Sequence, residues 1–335
     1  MSLVVGVDGG SRMTYAVVVD EEGRLLGAAD AGASNWERAG EQGMPATVEA
    51  ALSGALEAAG AAPGDVAAAV FGLAGVDWPS DAPRIDALLE GRVPSAPRRV
   101  VNDAFVVLRA GASESWGVGL VAGTGTVAVG RDPLGNEFRT IGEGRVFGDF
   151  GDEFDVSDLA VEAVANAYTG RGPATLLSEM LCERLGEDSA ESLLERLARQ
   201  DPFGRSPELQ NLTPMVLAAA DGGDLVARDV LERIGRALGE SAGLVARRLN
   251  LSNLPVEVVL SGGLFRIPNR YLLDELELGV RRTAPRAELR PLTCPPVVGA
   301  ALLAMELAKI PITGNAASQL RSDSTAHFWG SMAGG

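Results

Sequence analysis

The chain has 335 residues, 46% of them hydrophobic, and its 45 acidic against 29 basic residues leave a net charge of −16. That length holds two domains with separate cores, and the acidic balance argues against a nucleic-acid binder, which needs a clustered basic patch. Cys182 and Cys294 are the only cysteines and His327 the only histidine, too few for a disulfide framework, a zinc ribbon, a four-cysteine cluster or a histidine-based nucleophile within one chain.

The N-terminal segment opens with a Val-rich strand over 3–7, a second strand over 14–20, a turn at 21–23 and a third strand over 24–29, the pattern of an antiparallel meander. Residues 44–60 have helical spacing, and Gly60 suits the C-cap. A buried strand is expected over 66–75, a short helix over 81–91, and a strand running into a helix over 98–111. Residues 116–142 then repeat the opening plan: strand, Gly/Thr turn, strand, tight Asp-Pro-Leu-Gly turn, strand. The echo predicts an α/β protein of two halves with one topology. Helices are expected over 157–170, 189–200 and 224–250, with Asp224 as a cap, then a strand over 256–266 and a closing helix over 296–308. The tail, 313–335, is rich in Ser, Ala, Gly and Thr and is expected to be partly disordered. No apolar run approaches the ~20 residues that span a bilayer, and no basic segment precedes an apolar stretch at the start. The expectation is a cytoplasmic protein that binds neither membrane nor nucleic acid.

Five places could carry chemistry. Asp8 leads into Gly9, Gly10 and Ser11 between two apolar strands. Glycines let backbone N–H groups approach an anion, and a carboxylate beside phosphates fits a water-mediated Mg2+ ligand; a polar hairpin needing unusual backbone angles would read the same. Gly123, Thr124, Gly125 and Thr126 hold the equivalent place in the second half. Residues 123–128 mimic a dinucleotide fingerprint, but that fingerprint needs a following helix, and the alternation here predicts a strand. Asn102 and Asp103 end a central strand, where α/β proteins bind ligands. Asp103 there can take the proton of a hydroxyl attacking a phosphoryl group, or simply begin a helix. Glu143, Asp149, Asp152, Glu153 and Asp155 crowd one stretch and could hold sugar hydroxyls or a cation, or form a solvated loop. Ser261, Gly262 and Gly263 could lie against a flat base or turn a corner.

Residues 6–14, 33–40, 72–77, 100–104, 121–135, 148–151, 258–265 and 297–304 together resemble the sugar kinase and actin ATPase superfamily. More narrowly, the chain resembles the N-acetylglucosamine kinase-like branch of the BadF/BadG/BcrA/BcrD-type ATPases. The resemblance covers nearly the whole chain in order and spacing. It implies a two-domain actin-like ATPase fold, with duplicated ribonuclease H-like domains around a cleft: residues 1–112, then 113–312 with a helical insertion. It implies ATP and Mg2+ as cofactors, an amino sugar as substrate and a homodimer. By the likeness, Asp103 is the catalytic base, and Asp8 serves the metal. Gly9, Gly10, Ser11, Thr14, Gly123, Thr124, Gly125 and Thr126 grip the phosphates, and Gly262 and Gly263 touch the adenosine. Asn35, Gly75, Asp103, Thr124, Glu143 and Asp149 meet the sugar. Met13 stands where relatives often have Lys, Ser11 where they have a third Gly, and Glu143 where N-acetylglucosamine kinases carry Trp. Phe150 and Asp152 depart from the relatives' pattern as well. The expected activity is an ATP-dependent sugar kinase. The alternatives are a sensor that binds sugar and ATP without turnover, and an ATPase activator of a dehydratase or reductase.

Overall fold

The computed structural model describes residues 2–94, 96–200, 207–209 and 211–330. Strands β1 (Leu3–Gly9), β2 (Thr14–Val19) and β3 (Leu25–Ala31) form the expected meander. Helix α1 (Trp36–Ala59), β4 (Val66–Leu73), α2 (Asp81–Leu88) and β5 (Arg98–Asn102) follow, and the sheet order is β3-β2-β1-β4-β5, with β4 parallel to both β1 and β5. Helix α3 (Asp103–Gly111) leads to the second half. There β6 (Gly117–Ala122), β7 (Thr126–Arg131) and β8 (Glu137–Arg139) repeat the meander. Helices α4 (Glu153–Tyr168), α5 (Leu177–Leu185), α6 (Ala190–Gln200), α7 (Thr213–Asp221) and α8 (Leu225–Arg248) are inserted before β9 (Glu257–Ser261). Helix α9 (Arg270–Arg281) and β10 (Glu288–Pro291) complete the second sheet, order β10-β9-β6-β7-β8, with β9 parallel to β6 and to β10. Helices α10 (Val297–Leu307) and α11 (Gly314–Phe328) end the described chain.

The two sheets have one topology, and the repeat reaches individual hydrogen bonds. In the β2–β3 turn the Asp20 carboxylate accepts the Glu22 and Arg24 N–H groups at 3.1 and 2.9 Å, with Gly23 at φ 81°. In the β7–β8 turn the Asp132 carboxylate accepts the Leu134 and Asn136 N–H groups at 2.8 and 2.9 Å, with Gly135 at φ 86°. Each glycine takes a left-handed conformation that other residues resist.

β1 is buried on both faces. Val5 and Val7 pack under α1 with Val48 and Leu52, while Val4 packs with Val298 and Leu302 of α10. Helix α10 thus follows the second sheet in sequence yet covers the first. Its approach demands small residues. A Cβ on Gly6 would fall 2.4 Å from the Ala301 nitrogen, and one on Gly299 would fall 1.8 Å from the Val106 carbonyl oxygen of α3. Close packing of this kind leaves no room for a methyl group.

Three features depart from expectation. Helix α1 begins at Trp36, not at 44, because its first turns precede a break at Gly40, φ 70°. Helices α7 and α9 and strand β10 were not visible in the sequence pattern. The tail holds helix α11, capped by Thr313, whose hydroxyl accepts the Ala316 N–H at 3.1 Å. Leu320 and Phe328 bury against the α10 cluster, and the Arg321 guanidinium donates to the Ala110 and Ala112 carbonyls at 2.9 Å each, at the end of α3. Residues 331–335 lie outside the described residues.

Gly299→Ala should cost about 3 kcal/mol or more, the upper range for overpacking against backbone. Gly314→Ala, whose Cβ meets nothing within 4 Å, should be close to neutral. Chemical denaturation of both variants checks the contrast, and equal midpoints for the two would refute the tight α10 contact.

Candidate active site

The parallel strands of each sheet end toward the other half. β1 delivers Asp8 and Gly9, β4 leads to Gly75, and β5 delivers Asn102 and then Asp103. From the second sheet, β6 leads to Gly123 and β9 to Gly262. Asp103 is the first residue of α3, and Asn102 is its N-cap, the Asn102 Oδ1 accepting the Ala104 N–H at 3.0 Å. The cap therefore belongs to Asn102, and the Asp103 carboxylate sits beside it against the first N–H groups of α3.

Asp8 and Asp103 repel one another in a buried setting. Burial, reinforced by the Asp103 charge, pushes the Asp8 carboxyl up to about 8. Burial also pushes Asp103 up to about 6, restrained by backbone N–H groups and the Arg139 guanidinium. Two carboxylates so placed cannot both ionise cheaply without a cation between them. The oxygen donors and their charge suit a hard divalent ion.

Both glycine hairpins are fixed by their own backbones. The Gly10 N–H donates to the Met13 carbonyl at 2.9 Å, and the Gly10 carbonyl accepts the Ser34 and Asn35 N–H groups at 3.1 and 3.2 Å. In the second hairpin, the Gly123 N–H donates to Gly125 at 3.0 Å, and the Gly123 carbonyl accepts the Glu153 N–H at 2.8 Å. Gly125 is open: a Cβ there would meet nothing within 4 Å. A Cβ on Gly123 would lie 3.6 Å from the Gly263 nitrogen, so this hairpin and the 262–263 loop adjoin. Gly262, at φ 112°, backs onto Ala122, and Gly263 backs onto the Glu153 carboxylate. Gly9 is needed for packing: a Cβ there would strike Ser34 and Leu73. Thr14 is fully buried; its hydroxyl donates to the Gly32 carbonyl at 2.8 Å and lies 2.7 Å from the Ser34 hydroxyl, so it shapes the hairpin and does not reach a ligand. Thr126 is 3% exposed, and its hydroxyl has no hydrogen-bond partner among the described residues.

Four of the expected sugar residues, Asn35, Gly75, Glu143 and Asp149, lie along one run of contacts around Asp77. Asn35 caps α1, accepting the Glu37 N–H at 3.0 Å, while its Nδ2 donates to the Ser11 hydroxyl at 3.3 Å. The Gly75 carbonyl accepts the Trp36 indole N–H at 2.6 Å. Its φ of 85° and a Cβ position 3.2 Å from Asn35 Oδ1 tie it to the same corner. Glu143 accepts the Trp78 indole N–H at 2.9 Å. Asp149 is 4% exposed, and its Oδ2 accepts the Gly142 N–H at 2.6 Å. The acidic stretch divides from here: Asp152 caps α4 through the Asp155 N–H at 2.8 Å, and Asp155 accepts the Gly151 N–H at 2.7 Å. Both are structural.

Several further charged residues, most of them given no role by the sequence pattern, stand beside these. Glu37, Asp77 and Glu143 bring carboxylate oxygens within 4.8 Å of one another. Arg139 already supplies positive charge there, 2.6 Å from Asp77. Asp77 is nevertheless pushed up to about 7, mainly by burial. Arg12, exposed in the first hairpin, has no carboxylate partner among the described residues; Arg266, just after the 262–263 loop, has none either and acts electrostatically on Tyr15 of β2. Their sequence positions gave no sign of such a role, since only the fold sets Arg12 and Arg266 near the same strands. Cys182 lies on α5, half-buried, and Cys294 is 2% exposed against the Ala110 carbonyl. They belong to different clusters, and neither forms the paired-cysteine surface that a shared iron–sulfur cluster needs. No helix among the described residues is long and apolar enough to cross a membrane.

Comparison with known proteins bears on the family and the fold. The chain is 26% identical to the N-acetylmuramic acid/N-acetylglucosamine kinase of Clostridium acetobutylicum over 304 residues, 91% of this chain and 98% of that one. It is 28% identical to the N-acetyl-D-glucosamine kinase of Dictyostelium discoideum over 319 residues, 92% of this chain and 99% of that one. A candidate N-acetylglucosamine kinase from Chromobacterium violaceum superposes with a TM-score of 0.67 at 26% identity, covering 91% of this chain and 99% of that one. A ROK family glucokinase from Streptomyces griseus, solved with glucose and AMPPNP, shares the fold with a TM-score of 0.53 at 21% identity, covering 91% of this chain and 100% of that one. The model of the BadF/BadG/BcrA/BcrD ATPase family matches residues 5–304, and the chain belongs to that family.

Proposed function

We propose that this chain is an ATP-dependent kinase that transfers the γ-phosphoryl group of ATP to a hydroxyl of an amino sugar: N-acetylglucosamine, glucosamine or a related sugar. The observation that carries this reading is Asp103, following β5 at the start of α3, half-buried beside Asp8 and within reach of the Arg139 charge from the second half. Asp103 accepts the proton of the attacking hydroxyl. The new O–P bond forms at the γ-phosphorus, the bond to the β–γ bridging oxygen breaks, and ADP leaves. Such transfer depends mainly on positioning and charge neutralisation.

The other roles belong to the same proposal. Gly9, Gly10, Ser11 and the 123–126 hairpin hold the phosphates, and Gly262 and Gly263 face the adenosine. Asn35, Gly75, Thr124, Glu143 and Asp149 hold the sugar. Arg12 and Arg266 offer the cationic charge that Met13 lacks. Asp8 would hold Mg2+, through water, and the ion would neutralise phosphate charge. The name of the family, and the kinases named among its relatives, support ATP use and a sugar substrate. A homodimer belongs to the same proposal.

Two measurements test it. Asp103→Asn should lower kcat on the order of 10²-fold or more while the KM for ATP stays within about twofold. ADP release coupled to sugar-phosphate detection, across glucosamine, N-acetylglucosamine, N-acetylmuramic acid and glucose, reads this directly. A wild-type rate in the variant removes Asp103 as base, and sugar binding by calorimetry with no product from the wild type would make the chain a sensor.

The second concerns pH. Asp8 titrates well above its ordinary value of 3.8, at about 8. Its neutral form therefore stabilises the ligand-free fold below about pH 4, and that contribution is lost as pH rises through 8. Asp8→Asn should melt progressively higher than wild type between pH 5 and 8, with the gap level beyond, when nucleotide and divalent ions are absent. Parallel melting curves across that range would mean that Asp8 is ionised throughout.

A further inference from the structure

Two residues to which the sequence pattern assigned no role stand between the lobes. Asp77 follows β4 in the first lobe, and Arg139 ends β8 in the second. The Arg139 Nη2 lies 2.6 Å from Asp77 Oδ1, and its Nη1 donates to the Asp77 carbonyl and to the Val76 carbonyl, the latter at 3.3 Å. Asp77 Oδ1 also accepts from Asn102 Nδ2 at 3.0 Å. Asn102 is 4% exposed, and its other side-chain atom caps α3. Both ends of that amide are fixed, and the next residue is Asp103.

On its other side Arg139 donates to the Ile141 carbonyl at 2.6 Å. The neighbouring Gly142 N–H donates to Asp149 at 2.6 Å. A Cβ on Gly142 would fall 2.5 Å from Arg139 Nη2, so this loop is shaped around the guanidinium. A chain of polar contacts thus runs from Asn102 through Asp77 and Arg139 to the Asp149 loop, crossing from one lobe to the other.

We propose that Asp77 and Arg139 are positioning residues for the transfer: they clasp the lobes and set Asp103 and Asp149 in register across the cleft. This rests on the kinase reading of the cleft. The pair is 11% and 17% exposed, so removing one partner strands a charge away from water. Glu37 and Asp77 lie on the first lobe and Glu143 on the second, all within 4.8 Å. Without Arg139 the contacts that tie Asp77 to the end of β8 and to the 141–142 loop are lost. A displacement of roughly 1 Å at reacting groups can cost about 10²-fold in rate.

Arg139→Gln, Arg139→Lys and Asp77→Asn test the clasp. Three quantities are measured: sugar phosphate formed per ADP released, kcat beside the KM for ATP, and the radius of gyration from small-angle X-ray scattering without ligands. R139Q and D77N should enlarge the radius and lower kcat by about 10-fold or more, with the KM for ATP within about twofold. Sugar phosphate per ADP should fall, because water reaches the γ-phosphate in a looser cleft. R139K, which keeps the charge but not the fork of contacts, should recover part of each loss. A merely structural defect would reduce active protein and leave the product ratio unchanged. Folded R139Q or D77N with the wild-type radius and ratio overturns the proposal; if R139Q does not fold, D77N and R139K decide it. The radius judges the clasp even where wild type yields no sugar phosphate, an outcome that would instead remove the kinase reading.

Discussion

The approach of α10 to β1 and α3 is the constraint on which the rest depends. Backbone meets backbone at Gly6 and Gly299, with no room for a side chain at either. This contact returns the end of the chain to the first sheet after the second has been built. Helix α3 packs on the second sheet through Leu108 and Val129 while lying against α10. Glu306 of α10 reinforces the crossing, bonded to Arg109 of α3 and Arg131 of β7 at 2.7 Å each. Because Asp103 begins α3, the same crossing sets the height of the proposed base in the cleft.

From that crossing, two repeated sheets present their strand ends to one another. Parallel strands deliver small residues and carboxylates where backbone amides are free of ladder partners. The energetic cost is visible in Asp8 and Asp103, both held above their ordinary titration range by burial. Perturbed carboxyls in a cleft are the usual mark of a functional site. Asp77 carries a similar burden, relieved by Arg139, and so ties charge balance to the relation between the lobes.

Much of this was legible in the sequence, for physical reasons. The meanders of both halves showed because Val-rich strands alternate with Gly turns, and α8 showed because its apolar residues keep helical spacing beneath an Asp224 cap. Strand β10 was hidden: it is short, mostly exposed and ends at Pro291, an edge strand with little pattern to read. Helix α11 was hidden by its Ser and Ala content, since its order comes from contacts with α10 and α3 and not from propensity. The site divided in the same way. Asp103 and the glycine hairpins stood in local motifs. Asp77, Arg139, Arg12 and Arg266 acquire their surroundings only when distant segments meet, which no local pattern reports. Thr14 lay within a motif and yet turned inward, because a small hydroxyl serves a hairpin as readily as a ligand.

The matched Asp20 and Asp132 turns close the ends of their hairpins remote from the cleft. Leu134, at the tip of the second, is 88% exposed, and the turn that carries it is held by its own aspartate. A fluorescent label attached there would travel rigidly with the second lobe without entering the cleft. The fold thus supplies a natural vantage point from which the movement of one lobe against the other could be followed in real time.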